Sequence, residues 1–132
     1  LKVLDLFSGT GSIGFEFASR GVKFAEMVEK NFVHHDFIKK TILDLKMDNA
    51  RAIKTDVFIY IKHIHQTFDL IFADPPYDLE GIELIPELVF ERQLLAEDGW
   101  LVVEHSRDKD FKEHPRFIDQ RRYGKVNFSF FK

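Results

Sequence analysis

Short, almost uninterrupted apolar runs alternate with segments of helical period along most of this chain. A run that is apolar at nearly every position is buried on both faces, and a sheet of such strands needs helices above and below it. Residues 1–6, 24–29, 51–55, 68–73 and 100–103 are five runs of this kind. Between them Ile13, Phe17 and Ala18 recur at helical spacing until Gly21, a plausible C-terminal cap. Asn31 stands where it can cap a helix whose Val33, Phe37, Thr41, Ile42 and Leu45 share a face. Asp56 opens a helix through Ile61 and Ile64, and Leu84, Leu88 and Val89 mark another that begins or kinks at Pro86.

The pattern predicts an α/β fold of the Rossmann-like, doubly wound type: a mainly parallel sheet, right-handed crossovers, helices on both faces. Two strand-like runs, 117–123 and 126–131, meet at Gly124-Lys125 and predict an antiparallel C-terminal hairpin closing one edge. In such sheets ligands gather at the carboxyl ends of the strands. The 132 residues, 45% hydrophobic and 31% charged, fit one domain over 1–132 that needs no metal or disulfide to fold. The absence of cysteine excludes a disulfide scaffold, a thiolate metal site and a cysteine nucleophile, and fits a reducing cytoplasm. No apolar run approaches the ~20 residues of a membrane span, so a cytoplasmic protein with no membrane partner is expected. The chain opens at Leu1 in the middle of an apolar run, and we expect a preceding segment to be missing. Its net charge of −3 hides an asymmetry: residues 1–106 carry 11 Lys and Arg against 18 Asp and Glu, and residues 107–132 carry 8 against 4. A basic end on an acidic body can steer a polyanion.

Gly9-Thr10-Gly11-Ser12-Ile13-Gly14 is a G-x-G-x-x-G that follows a strand and opens a helix, where glycines let a ligand approach backbone N–H groups. Glu29, 20 residues beyond Gly9 and at the end of the second strand, can accept hydrogen bonds from the hydroxyls of a ribose. Asp56 ends the third strand, where it can accept from an adenine amino group or simply cap the next helix. These residues do not separate a nicotinamide cofactor from another adenosine-bearing one. Asp5, an aspartate in a nearly apolar run, needs a partner and would suit a site facing a cationic cofactor.

Asp74-Pro75-Pro76-Tyr77 directly follows the fourth strand, beside the same crevice. Two prolines fix the backbone, remove two N–H donors and leave a rigid row of carbonyl acceptors. A carboxylate at Asp74 and the Pro75 carbonyl, accepting both hydrogens of an exocyclic amine, would favour the pyramidal geometry in which nitrogen becomes nucleophilic. Tyr77 would stack on a base swung out of its helix or loop.

The segment from Asp5 to Gly14 resembles motif I of the class I S-adenosylmethionine-dependent methyltransferases. Glu29 is similar to their ribose-binding acid, and Asp74-Pro75-Pro76-Tyr77 resembles their amino-methylating motif IV. More narrowly, the chain resembles the bacterial family that methylates guanine N2 in 16S ribosomal RNA, including residues 68–77, 99–106 and the closing Tyr123-Gly124-Lys125. The resemblance implies S-adenosylmethionine as cofactor, held by Asp5, Phe7, Ser8, Gly9, Thr10, Gly11, Glu29 and Asp56. It implies a target pocket of Asp74, Pro75, Pro76 and Tyr77, and 16S ribosomal RNA or the small ribosomal subunit as partner of a monomeric enzyme. Members of that family carry a basic segment before motif I, and the sequence in hand begins after the position where it is expected.

DNA adenine-N6 and protein glutamine methyltransferases use the same pocket chemistry, and a catalytically inactive RNA-binding module would share the fold. A nicotinamide oxidoreductase would need a further substrate region and leaves Asp74-Pro75-Pro76-Tyr77 without a role. The six histidines include no metal signature, and no metal is expected. Arg121, Arg122 and Lys125 lie on the predicted hairpin, where they either touch phosphates or protect an edge strand.

Overall fold

The computed structural model describes the whole chain, Leu1–Lys132. Its elements follow in the order β1 (Lys2–Leu6), α1 (Ser12–Ser19), β2 (Phe24–Val28), α2 (Phe32–Asp44), β3 (Ala50–Ile53), α3 (Val57–His63), β4 (Phe68–Ala73), α4 (Leu84–Glu91), β5 (Leu95–His105), β6 (Phe117–Tyr123) and β7 (Val126–Phe131). All seven strands form one sheet in the order β3-β2-β1-β4-β5-β7-β6. The first five pair in parallel, while β7 runs antiparallel to both β5 and β6. The α/β architecture and the C-terminal hairpin are therefore those expected. The chain leaves β1 toward β2 on one side and returns to β4 on the other, so β1 and β4 flank the switch point where a doubly wound sheet opens a crevice.

Alternation along the strands divides the core between two faces. Leu4, Leu6 and Val28 join one large cluster with Val57 and Ile61 of α3 and with Ile85 and Val89 of α4. Met27 lies on the opposite face beneath α1, where a Cβ on Gly14 would stand 2.4 Å from its side chain. Helix α1 approaches the sheet that closely only because residue 14 has no side chain. Asn31 caps α2 by accepting from the His34 N–H at 3.0 Å, and Asp56 caps α3 by accepting from Phe58 and Ile59. Pro86 falls in the first turn of α4, where no intrahelical N–H is required.

Two expectations are corrected. Helix α2 buries Ile38 rather than the face of Val33, Phe37 and Leu45, which are exposed. Apolar residues wrap around this helix, so its periodicity does not choose a side. Strand β5 starts at Leu95, not at Trp100, because it is interrupted rather than preceded by a turn. Asp98 adopts φ 62°, and a Cβ on Gly99 would meet the carbonyl oxygens of Ala96 and Phe68 at 2.9 and 3.1 Å. The pairing of β4 with β5 shifts register there.

Candidate active site

A cavity of about 700 Å³ lies at the carboxyl ends of the parallel strands. Each strand delivers one segment to it: Asp5 and Phe7–Thr10 from β1, Val28–Asn31 from β2, Thr55–Val57 from β3, Asp74–Tyr77 from β4 and Glu104–Ser106 from β5. Its size suits a ligand of the dimensions of a nucleoside cofactor together with part of a second substrate.

The glycine turn is fixed from below and open above. Ser8 N–H continues the sheet by donating to the Val28 carbonyl at 2.9 Å, the Ser8 hydroxyl donates to the Asp5 carbonyl at 2.8 Å, and Gly11 N–H returns to Ser8 at 2.8 Å. Phe7 and Gly9 both sit at φ 59°. A left-handed phenylalanine is strained, and the ladder on either side holds it so that it faces the cavity. A Cβ built on Gly9 would meet nothing within 4 Å, so the backbone there is bare toward the cavity. The N-cap residue of α1, Gly11, has no side chain to cap the helix, and of the first-turn N–H groups Gly14 donates to Asp5, which leaves those of Ser12 and Ile13 without a side-chain acceptor. Gly11 differs from its neighbours: it is absent from the cavity wall, and at φ 90° its missing Cβ makes room for Phe15 and Ile38. Its part is to shape the turn.

Glu29 clamps this turn to β2. One carboxylate oxygen accepts from Gly9 N–H and the other from Asn31 N–H, each at 2.8 Å. Each oxygen keeps a second lone pair, so the clamp does not exhaust its capacity to accept from a diol. Asp56 divides its work in the same way: Oδ1 caps α3, at 2.9 Å from Phe58 N and 3.2 Å from Ile59 N, and Oδ2 remains available in the cavity wall. Both roles considered for Asp56 are therefore compatible.

Asp5 is 2% exposed and accepts from Gly14 N–H at 3.2 Å. Burial, helped by the nearby Asp74 and Glu29, pushes its carboxyl up to about 7 against the downward pull of its hydrogen bonds. Across the cavity Asp74 and Glu104 line the same wall as neighbouring carboxyls. Desolvation raises both, and the proximity of Asp74 helps hold Glu104 up at about 7. Asp5, Glu29, Asp56, Asp74 and Glu104 thus make the wall strongly acidic, with Lys30, His34 and Lys109 as basic residues in it. Raised carboxyl groups around one space are stabilised when a cation enters it.

Pro75 is buried and fixes the turn after β4, whereas Tyr77 is 73% exposed at the cavity mouth. An aromatic ring so placed is not a core residue and has its face free for stacking. Glu104 was not singled out by sequence reading. Its signal lies in the pairing: Ala73 stands opposite Val103, so the next residues, Asp74 and Glu104, emerge side by side. His105, behind them, is buried and holds β5 to β7. Its Nδ1 faces the Ser106 carbonyl at 2.8 Å and must donate, so its Nε2, 2.7 Å from the Ser129 hydroxyl, accepts.

The sheet order, the glycine turn under α1 and the Asp-Pro-Pro-Tyr turn after β4 define a class I methyltransferase fold. A solved structure from Haemophilus influenzae, given the provisional title of a methylase, superposes with a TM-score of 0.88 at 26% identity over 98% of this chain and 84% of that one. The chain belongs to the family described as Conserved hypothetical protein 95, which matches residues 1–132. A Bacillus subtilis relative, provisionally named the rRNA methyltransferase YlbH, is 32% identical over 83% of this chain and 62% of its own length. The ribosomal RNA small subunit methyltransferase D of Haemophilus influenzae is 30% identical over 82% of this chain and 58% of its own length. The chain thus spans about three fifths of the length of these relatives.

Proposed function

We propose that this chain carries the catalytic crevice of an S-adenosylmethionine-dependent methyltransferase acting on the exocyclic N2 of a guanine in 16S ribosomal RNA. The observation that carries the reading is the meeting of two sites in one cavity: a bare glycine turn clamped by Glu29, and Asp74-Pro75-Pro76-Tyr77 facing it. The residues fit the cofactor group by group. The spare lone pairs of Glu29 suit the ribose hydroxyls, Oδ2 of Asp56 suits the adenine amine, and the acidic wall around Asp5 suits the cationic end. When bound, the cofactor supplies a methyl group on a positively charged sulfur, open to direct displacement.

The chain's own residues prepare the nucleophile. Tyr77 receives the base by stacking. The Asp74 carboxylate and the Pro75 carbonyl accept the two amine hydrogens and draw the nitrogen lone pair out of conjugation. With the cofactor bound, the amine nitrogen would take the methyl group in line, and the electron pair of the bond given up would stay with the departing sulfur. The proton released from nitrogen then passes to the Asp74–Glu104 pair or to water. Positioning and electrostatics do this work without a covalent intermediate. The small-subunit methyltransferase relatives support the ribosomal RNA substrate.

The test is methyl transfer from the labelled cofactor to small ribosomal subunits lacking the modification, followed by nucleoside analysis. Label in N2-methylguanosine is expected. Label in N6-methyladenosine or in ribosomal protein, or no transfer at all, would overturn the proposal.

A further inference from the structure

We propose that Arg107, Arg122 and Lys125 form a dock for the phosphates that flank the target base, an inference that rests on the polynucleotide substrate proposed above. A second cavity, of about 470 Å³, is walled by Tyr77, Ser106, Arg107, Asp108, Arg122 and Lys125. Tyr77 and Ser106 belong to both cavities, so the two meet at the mouth of the target pocket. The cations reach this place from separate segments: Arg107 from the loop after β5, Arg122 from the end of β6 and Lys125 from the β6–β7 turn. All three are exposed, and none takes part in an ion pair.

The neighbouring charges behave differently. Arg121, adjacent in sequence, is bound by Asp119 at 2.8 Å. Asp108, the acid in the second cavity, accepts from the Ser106 hydroxyl. The Arg122 Nε donates to the Gly124 carbonyl at 3.0 Å, which sets the guanidinium against the turn and leaves its terminal N–H groups free. Gathering three unpaired cations on one rim costs electrostatic repulsion that a polyanion relieves. A base stacked on Tyr77 carries its backbone at that rim, where Arg and Lys contacts to phosphate fix register without reading sequence. The structure thereby separates the two roles left open for hairpin cations: Arg122 and Lys125 face the substrate, and Arg121 is an edge-strand charge held by its own strand.

The test is the salt dependence of binding to a fluorescein-labelled, single-stranded RNA 12-mer containing one guanine, between 50 and 200 mM KCl. Each phosphate neutralised contributes about 0.7 to the slope of log K against log salt for single strands. Relative to wild type, the triple variant R107A/R122A/K125A is expected to lose about 2 from that slope and at least about tenfold in affinity at 50 mM. The single variants should each lose about 0.7, and R121A should lose nothing. S-adenosylhomocysteine binding, measured by calorimetry, should be the same in all of them. An unchanged slope in the single and triple variants, an equal loss in R121A, or no RNA binding by the wild type would overturn the proposal. Slope loss as expected, with no methyl transfer to any RNA, would leave the dock standing and remove the methylation reading. Transfer with an unchanged slope would do the reverse.

Discussion

Asp74 and Glu104 leave the paired ends of β4 and β5 side by side, where desolvation and their mutual proximity keep a proton on the pair. Glu104 is held up at about 7, so this proton leaves near neutrality, and the pair accepts from an amine best once it has gone. Methyl transfer should therefore rise with pH, up to about tenfold per unit below 7, and level off above it. Glu104→Gln removes the carboxyl held up at about 7, and its amide can still donate to Asp74, so the ascending limb should move to lower pH. Rates measured from pH 5.5 to 9 check both expectations. Asp74→Ala should abolish turnover while S-adenosylhomocysteine still binds.

Asp5 gives stability an unusual pH dependence. Its pKa is raised from an ordinary carboxyl value to about 7 in the folded protein, so between about pH 4 and 7 the folded state holds a proton that the unfolded state has lost. Stability must then fall as pH rises through that window, by roughly 4 kcal/mol from this group. Asp5→Asn, which still accepts from Gly14 N–H, should flatten the dependence and raise the melting temperature at pH 8. The same change should weaken cofactor binding. Thermal melts of the ligand-free protein at pH 5 and pH 8 are the measurement.

Glu29 is expected to act twice when it is removed. Glu29→Ala leaves Gly9 and Asn31 N–H without their carboxylate, which costs about 1 to 3 kcal/mol of stability. It also releases the glycine turn, so S-adenosylhomocysteine affinity should fall by at least about tenfold. Glu29→Gln keeps an acceptor for one of the two N–H groups and should fall between. Denaturant melts and calorimetry separate the two losses.

Gly14→Ala places a Cβ where the Met27 side chain lies, at 2.4 Å. Overpacking of this kind costs about 1 to 3 kcal/mol. Met27→Ala is itself destabilising but makes the space, so the double variant should be more stable than the sum of the two single changes predicts. A double-mutant cycle by urea denaturation measures that coupling.

Most of the frame is legible from apolar runs because strands buried on both faces leave little choice of role. The five parallel strands and the closing hairpin follow from residues 1–6, 24–29, 51–55, 68–73, 100–103 and 117–131, and the glycine turn locates the crevice. What escapes depends on contacts between distant segments. Glu104 acquires its meaning only when register sets it beside Asp74. Glu26, 1% exposed in an apolar strand, is satisfied by the Tyr60 hydroxyl of α3, a partner 34 residues away. Helix α2 carries apolar residues on every side, so Ile38 alone is buried where a stripe of Val33, Phe37 and Leu45 was expected. The roles of Arg121 and Arg122, neighbours with the same charge, separate only through Asp119.

The central claim is that the cavity between Glu29 and Asp74 is built for an S-adenosyl ligand, and it can be tested without any RNA. Calorimetric titration of the purified protein with S-adenosylhomocysteine and, separately, with NAD should show binding of the first, lost on Glu29→Ala, and none of the second. Binding of NAD, or failure of the folded protein to bind S-adenosylhomocysteine, would contradict it.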